Sequence, residues 1–334
     1  MNNQIKEKAP LILAEIKKAK SVLLHCHPSP DPDSVGSALA MKFAIEQLGG
    51  KATVIKGDSE IPQAFMHFPG ADQILMKSFW EIDPSDYDLF IIVDSALSGV
   101  SRLKPVTELP SSMMVINIDH HKTNNGDGKI NIVEPSYPAV AQLLYDLFIE
   151  MGIKITPEIA GNLFVGIYTD TSFKYEGTNA DTFRVASELV KIYPQFPKMI
   201  SDMQNSNTIK DIEFQGLAFS SIETACSEKI LLSVIPFDVL ESKKIPDVSI
   251  SAGMISPKLL TVKGFDLYAV ILEPRPNKIK ISFRTSDADK YDVSLLATSL
   301  GGGGHKAAAG AVLDMPLEEA KALVVSKAKE LYNL

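Results

Sequence analysis

With 334 residues, 45% of them hydrophobic and 22% charged, the chain is long enough for two globular domains of ordinary size. A net charge of −8 excludes broad, sequence-independent binding of long duplex nucleic acid, which needs an extended basic face; it leaves room for a small nucleotide in a locally cationic cleft. No apolar run approaches the roughly 20 residues that span a bilayer, and the two cysteines, Cys26 and Cys226, are too far apart in sequence to suggest a disulfide framework. No membrane association is expected, and the expected compartment is the cytoplasm.

The N-terminal stretch "MNNQIKEKAPLILAEIKKAK" carries charges on both sides of a short apolar patch, as in a surface amphipathic helix and unlike a signal peptide. "SVLLHCH" then reads as a strand and "SVGSALAMKFAIEQLGG" as a helix closed by a Gly pair. "KATVIKG" is a second strand, and "YDLFIIVDS" and "MMVINIDHH" are continuous apolar runs of strand length, expected in a sheet covered on both faces. "SYPAVAQLLYDLFIEMG" and "TPEIAGNLFVGIYTD" have helical spacing, the second opening on Thr156 as N-cap and Pro157 at the first helical position. This alternation predicts an α/β fold with a mostly parallel sheet flanked by helices.

The pattern loosens at "YPQFPKMISDMQNSNTIKDI", the best linker candidate. Beyond it "KILLSVIP", "FDLYAVILEP" and "KIKISFRTS" read as strands, "VSLLATSL" as a short helix, and "GGGGHKAAAG" as a loop running into small residues. The expected organisation is an α/β domain over 1–192, a connector over 193–225, and a smaller α+β domain over 226–334.

Acidic and histidine residues cluster where strands end. His27, Asp31 and Asp33 follow the first strand, Asp94 follows "LFIIV", and Asp119, His120 and His121 follow "MMVINI". In open parallel sheets ligands bind outside the carboxyl ends of the strands, so clusters far apart in sequence can converge. Asp170 ends a helix pattern nearby in the order. Four carboxylates, Asp31, Asp33, Asp94 and Asp170, in one cleft would repel one another unless neutralised. Two divalent ions would do so, with His27 and His120 adding nitrogen donors; carboxylate and imidazole without thiolate suit manganese or another divalent ion. Four of the six histidines fall in "HCH" and "HH", each beside a carboxylate. His25 shares a strand face with His27 and is expected to support or pack. Cys26 points the other way, and His67 is expected to have a plain surface or packing role. A second signal is "LGGGGHKAAAG": Gly301, Gly302, Gly303 and Gly304 can expose N–H groups to an anion, and His305 can donate to phosphate. Arg284 in "KIKISFRTS" is the expected cationic partner, ahead of Arg275.

These residues resemble the DHH phosphoesterase family, in the branch with a DHHA1 C-terminal domain that includes bacterial oligoribonucleases and pAp phosphatases. The family's motifs appear in order as "HPSPDPDSVGS", "IIVDSA", "NIDHHKTN", "GIYTDTSFKYEGT" and "GGGGHKAAAG", covering nearly the whole chain. The resemblance implies two Mn2+ ions, with Mg2+ or Co2+ as substitutes. One would be held by His27, Asp31 and Asp94, the other by Asp33, Asp94, His120 and Asp170. It further implies that His121 faces the substrate phosphate, that Asp119 orients the histidines, and that Arg284, Gly301–Gly304 and His305 bind substrate from the second domain. The implied reaction is two-metal hydrolysis of short single-stranded RNA (dinucleotides such as pApA included) to mononucleotides, of pAp to AMP, or of both; a homodimer is compatible with it. Cyclic-dinucleotide cleavage is the neighbouring alternative, with inorganic pyrophosphatase or a non-catalytic nucleotide-binding module ranked lower. Two departures stand out: Pro32 replaces the usual glycine between Asp31 and Asp33, and the loop after Asp170, which includes Lys174, is one residue short.

Overall fold

The computed structural model describes residues 2–174, 177–205, 207–246, 250 and 252–334, with His305 described through its backbone only. It divides into two compact units, Met1–Ser206 and Asn207–Leu334.

The first unit opens with helix α1 (Asn3–Lys18), capped by the Asn2 side chain; Ile5, Ala9, Ile12 and Ile16 recur at helical spacing and are buried. Strand β1 (Val22–His25), helix α2 (Pro32–Gln47) and strand β2 (Ala52–Ile55) make the first crossover. Strands β3 (Leu89–Val93), β4 (Met114–Asp119) and β5 (Ile130–Val133) follow through loops and short 3-10 turns. Helices α3 (Val140–Glu150), α4 (Pro157–Thr171), α5 (Ala180–Ile192) and α6 (Phe196–Gln204) complete the unit.

All five strands pair in parallel, in the order β2-β1-β3-β4-β5. Alternating side chains feed two cores. Val22 and Leu24 face the larger core, built with α1 to α4. Leu23, Phe90 and Ile92 face a smaller core closed by Phe79, Val100, Val106 and Met113, which belong to turns and loops. Both sheet faces are therefore covered, as the continuous apolar strands require, but helices cover only one of them. Strand β5 was absent from the sequence reading; "INIV" is short and bounded by polar residues.

The second unit holds α7 (Ile209–Ser220), β6 (Ile222–Ala225), β7 (Ile230–Ile235), α8 (Phe237–Ser242) and α9 (Ala252–Leu259). They are followed by β8 (Leu267–Arg275), β9 (Lys278–Thr285), α10 (Val293–Ser299), β10 (Gly303–His305), β11 (Ala308–Asp314) and α11 (Leu317–Tyr332). Its six-stranded sheet runs β10-β11-β9-β8-β7-β6; only the β7–β8 pair is parallel. Ala269 and Ile271 face one core, shared with α10 and α11, while Tyr268, Val270 and Leu272 face the other, shared with α7, α8 and α9.

Among the described residues of 193–225 lie two helices and an edge strand; Phe196, Met199 and Ile200 in α6, and Phe214 and Ala218 in α7, pack into the cores of their own units. One expectation is corrected. "GGGGHKAAAG" is not a loop: β10 and β11 form a hairpin with Gly303 opposite Gly310 and His305 opposite Ala308. Glycine disfavours strands, but here the chains approach too closely for anything larger. A Cβ on Gly304, whose φ is +142°, would lie 2.6 Å from the Ala309 Cα.

Candidate metal centre

The strand order 2-1-3-4-5 reverses direction between β1 and β3, and the carboxyl ends there are where open sheets of this kind bind ligands. Every candidate of the first unit collects at that edge. His27 follows β1, Asp94 follows β3, and Asp119, His120 and His121 end β4, while the N-termini of α2 and α3 and the C-terminus of α4 close in from the helical side.

Asp31 is the N-cap of α2: its Oδ1 accepts from the Ser34 N–H at 2.8 Å, and Pro32 takes the first helical position. Proline suits that position, since its missing N–H would have no intrahelical partner and its φ is already helical. The helix begins two residues earlier than its apolar pattern indicated, and Pro32 is thereby explained as part of the helix start. The Ser34 hydroxyl accepts from the His27 N–H at 2.6 Å, tying the loop back to the helix.

Asp33 is fully buried in the first turn of α2. Its Oδ2 accepts from the Val140 N–H at 2.7 Å, and its Oδ1 from the Ala141 N–H at 3.0 Å and the Ser37 hydroxyl at 3.3 Å. The carboxylate thus sits on the N-terminus of α3, a natural anion site. Packing there is tight: a Cβ on Gly166 of α4 would lie 2.4 Å from Asp33 Oδ1. Burial nonetheless raises the Asp33 carboxyl above its usual range, with the Asp31 charge adding and His120 and the two amides opposing.

Asp94 has a left-handed backbone, φ 58°, rare for a non-glycine residue; its N–H donates to the Ile118 carbonyl at 3.0 Å. It is 3% exposed, and its Oδ1 has no hydrogen-bond partner. Burial, then the charges of Asp31, Asp33, Asp170 and Asp119, push its carboxyl well above the ordinary range. Asp170 at the end of α4 is raised likewise, by burial first and then by Asp33 and Asp31.

The His120 Nδ1 lies 3.0 Å from the Tyr137 carbonyl oxygen, to which a protonated Nδ1 donates. That leaves Nε2 pointing inward, 3.7 Å from both Asp94 Oδ1 and Asp170 Oδ2. A histidine anchored through one nitrogen and bare at the other is how metal-ligating imidazoles are held. His121 is anchored differently, with Nδ1 2.7 Å from Asp119 Oδ1. Asp119 also accepts the N–H groups of His120 and His121 at 2.7 and 3.2 Å, and the Asn124 side-chain amide at 2.7 Å. Asn124 reaches Asn117 Oδ1 at 2.8 Å and the Ser95 carbonyl at 3.2 Å, closing a buried polar network. Burial lowers the His121 imidazole, but the Asp119 hydrogen bond and charge, with Asp31 and Asp33, outweigh it and leave the pKa raised.

Among the described residues two groups place their potential ligand atoms within 4.8 Å of one another: Asp94, His120 and His121, and Asp33, His120 and Asp170. His120 belongs to both. His121 enters the first group, yet its Nδ1 is engaged with Asp119. His27 and Asp31 border these groups without joining either. The His27 Nδ1 is 3.1 Å from the Ser29 carbonyl. Burial lowers its pKa, with the charges of Arg102 and His121 adding to the shift and Asp31 opposing it. His25 lies edge-on to Phe90 with ring centroids 5.7 Å apart, and burial lowers its pKa to about 4. Cys26 is buried, which raises its thiol pKa, and His67 sits on the surface.

The donor set fits divalent cations. Several carboxylates share one pocket, Asp94 presents a buried oxygen with no partner, and an oriented imidazole nitrogen points between two carboxylates; no thiolate is involved.

Arg284, Gly301–Gly304 and His305 belong to the second unit. Arg284 on β9 is opposite Ala308, itself opposite His305 across the hairpin, so the three occupy one row of the sheet. Arg284 Nη1 donates to the Phe283 carbonyl at 2.8 Å and to Ser282 Oγ at 3.3 Å. The His305 side chain and residues 175 and 176 of the shortened loop lie outside the described residues. Sequence reasoning missed the Tyr137 carbonyl and the α3 amides, which are backbone groups without a residue-type signature. It also missed Asn124, which lies inside the quoted "NIDHHKTN" and had a signal to offer.

Comparison with known proteins gives the class of the parallel sheet and of the acids and histidines at its switch point: a hydrolase of the phosphoesterase type. The N-terminal domain model of the DHH family matches residues 21–167, and the DHHA1 domain model matches 238–333. The chain therefore carries a DHH-family N-terminal domain followed by a DHHA1 domain, and its DHH phosphoesterase homologues are metal-dependent hydrolases. It is 29% identical to the bifunctional oligoribonuclease and PAP phosphatase NrnA of Thermus thermophilus, over 96% of this chain and 93% of that protein. It is 26% identical to the protein of the same name from Mycoplasma pneumoniae, over 94% of each. The fold matches a Bacteroides fragilis structure described as an exopolyphosphatase-related protein, with a TM-score of 0.87 at 21% identity over 98% of this chain and 97% of the other.

Proposed function

We propose that this chain is a manganese-dependent phosphoesterase that hydrolyses short RNA oligonucleotides to mononucleotides and pAp to AMP. The observation that carries the reading is the shared centre of Asp33, Asp94, His120 and Asp170, with an unpartnered buried oxygen on Asp94. The names of the curated relatives supply the substrate class. In this reading those residues, with His27 and Asp31 at the rim, hold two ions. The ions supply Lewis acidity toward phosphoryl oxygens and activation of water.

The rest of the chemistry falls to the side chains. Tyr137 fixes the His120 ring so that its Nε2 faces the centre. Asp119 fixes the His121 ring and favours its protonated form, so the imidazolium meets a phosphate oxygen with a preorganised charge. Asn124 and Asn117 keep Asp119 from turning. Arg284, the glycine hairpin and His305 bind the nucleotide as the second domain's contribution. The setting proposed for this reaction is the cytoplasm.

The test is a manganese-supported hydrolysis panel of pAp, pApA, short RNA, c-di-AMP and pyrophosphate. Release of AMP from pAp and of mononucleotides from pApA is expected. Cleavage confined to pyrophosphate, or a clear preference for c-di-AMP, replaces this substrate assignment.

A further inference from the structure

Arg102, whose side chain reaches the segment between His27 and Asp31, was not singled out by the sequence and has no role in the chemistry above. Its main chain is held by one carboxylate. Asp58 accepts from the Ser101 hydroxyl at 2.9 Å, the Arg102 N–H at 2.6 Å and the Leu103 N–H at 3.3 Å. The loop carrying Asp58 is pressed against the segment after β1. A Cβ on Gly57 would lie 2.0 Å from the His27 carbonyl oxygen, and the Ser59 N–H donates to the Pro28 carbonyl at 2.9 Å. Arg102 Nη1 then donates to the Ser29 hydroxyl at 3.3 Å, within the short span between His27 and Asp31. Segments 27–31, 57–59 and 101–103 are therefore bonded into one frame, and that frame holds an exposed guanidinium on the segment between His27 and Asp31.

Among the described residues, no carboxylate lies within ion-pair distance of the Arg102 guanidinium. Asp58, the nearest acid by sequence of contacts, spends its oxygens on two N–H groups and a hydroxyl. A protein with a net charge of −8 has many acids available to neutralise a surface arginine. Here Asp58 holds the main chain of residues 101–103, while among the described residues none of the guanidinium's five N–H donors goes to a carboxylate. That combination suits an anionic ligand. A planar fork of donors matches two oxygens of one phosphate, which a lysine cannot do.

We propose that Arg102 binds a phosphate group of the nucleotide substrate at the His27–Asp31 end of the centre, with Asp58 and Ser29 positioning it. The inference rests on the phosphoester reading of the site and assigns a phosphate-binding residue within the catalytic unit itself.

AMP, the product expected from both pAp and pApA, is the probe. Calorimetric titration of AMP into the manganese-supplemented full chain is compared for wild type, Arg102→Ala and Arg102→Lys, alongside kcat and KM for pAp. Arg102→Ala is expected to bind AMP about 10- to 100-fold more weakly and to lose kcat/KM to a similar degree. Arg102→Lys is expected to fall between the two, and the melting temperatures to agree, since the side chain is exposed. Equal AMP affinity in wild type and Arg102→Ala overturns the proposal. So does a loss that accompanies a lowered melting temperature, which would make the residue a structural tie for Ser29. Failure of wild type to hydrolyse pAp and short RNA overturns the proposed function, while the AMP titration continues to read Arg102 independently.

Discussion

The two sheets of this molecule bring functional residues together by opposite means. In the first unit all strands point the same way, so the residues that follow β1, β3 and β4 share one edge although 92 positions separate His27 from Asp119. In the second unit neighbouring strands mostly alternate in direction, and residues meet across the ladder, as Arg284, Ala308 and His305 do in one row. A parallel sheet concentrates chemistry at one end, where loops and helix termini can add ligands. An antiparallel hairpin offers a surface whose registry sets the spacing. The difference predicts that damage to the acid and histidine cluster of the first unit, as distinct from its Arg102, falls on turnover, and that damage to the second unit falls on substrate affinity.

The largest effect is expected from Asp94→Asn. Removing this carboxylate is expected to lower kcat about a thousandfold or more, since several kcal/mol of charge stabilisation depend on the centre. In metal-free protein the same change is expected to raise the melting temperature by a few degrees. The Asp94 carboxyl is raised by burial and like charges, so its ionised form opposes folding near neutral pH. Activity assays and thermal melts with and without manganese test both halves; near-normal turnover would remove Asp94 from the centre.

Gly166→Ala tests the packing behind the ligands. Its methyl would enter the space of Asp33 Oδ1 and lie 2.7 Å from the Ala141 Cβ. A stability loss of about 1–3 kcal/mol is expected in denaturant titrations, together with a fall in kcat as Asp33 shifts. Unchanged turnover would show that Asp33 tolerates displacement.

Gly304→Ala is the second unit's counterpart and the smallest expected effect on rate. The substitution strains a φ of +142° and crowds Ala309, so KM for pApA is expected to rise several-fold while kcat stays within about twofold. A fall in kcat instead would erase the division of labour between the sheets.

How much of this was legible beforehand follows the same contrast. Continuous apolar runs ending in acids and histidines marked β1, β3 and β4, because burial on both faces and the turn to polar residues are both written in residue type. The ends of helices were harder. The apolar pattern of α2 begins after its cap, so Asp31 and Pro32 fell outside the helix read from the sequence. The hairpin of the second unit was read as a loop because its glycines argue locally against strand, and only pairing with β11 overrides that preference. The groups that orient the ligands were the least visible. Tyr137 acts through its carbonyl, and Val140 and Ala141 through their amides, so neither side-chain identity nor spacing announces them.

Asp33 carries a consequence that reaches beyond catalysis. Both of its oxygens accept backbone N–H groups from the first turn of α3, making the side chain a rivet between two helices as well as a candidate ligand. An asparagine would keep the shape but turn one acceptor into an NH2 group, aimed at a backbone N–H that also needs an acceptor. The usual conservative exchange of acid for amide would therefore break a helix junction before it altered any chemistry. At this position architecture alone is enough to demand a carboxylate, and whatever charge that carboxylate brings must be balanced by what the centre holds.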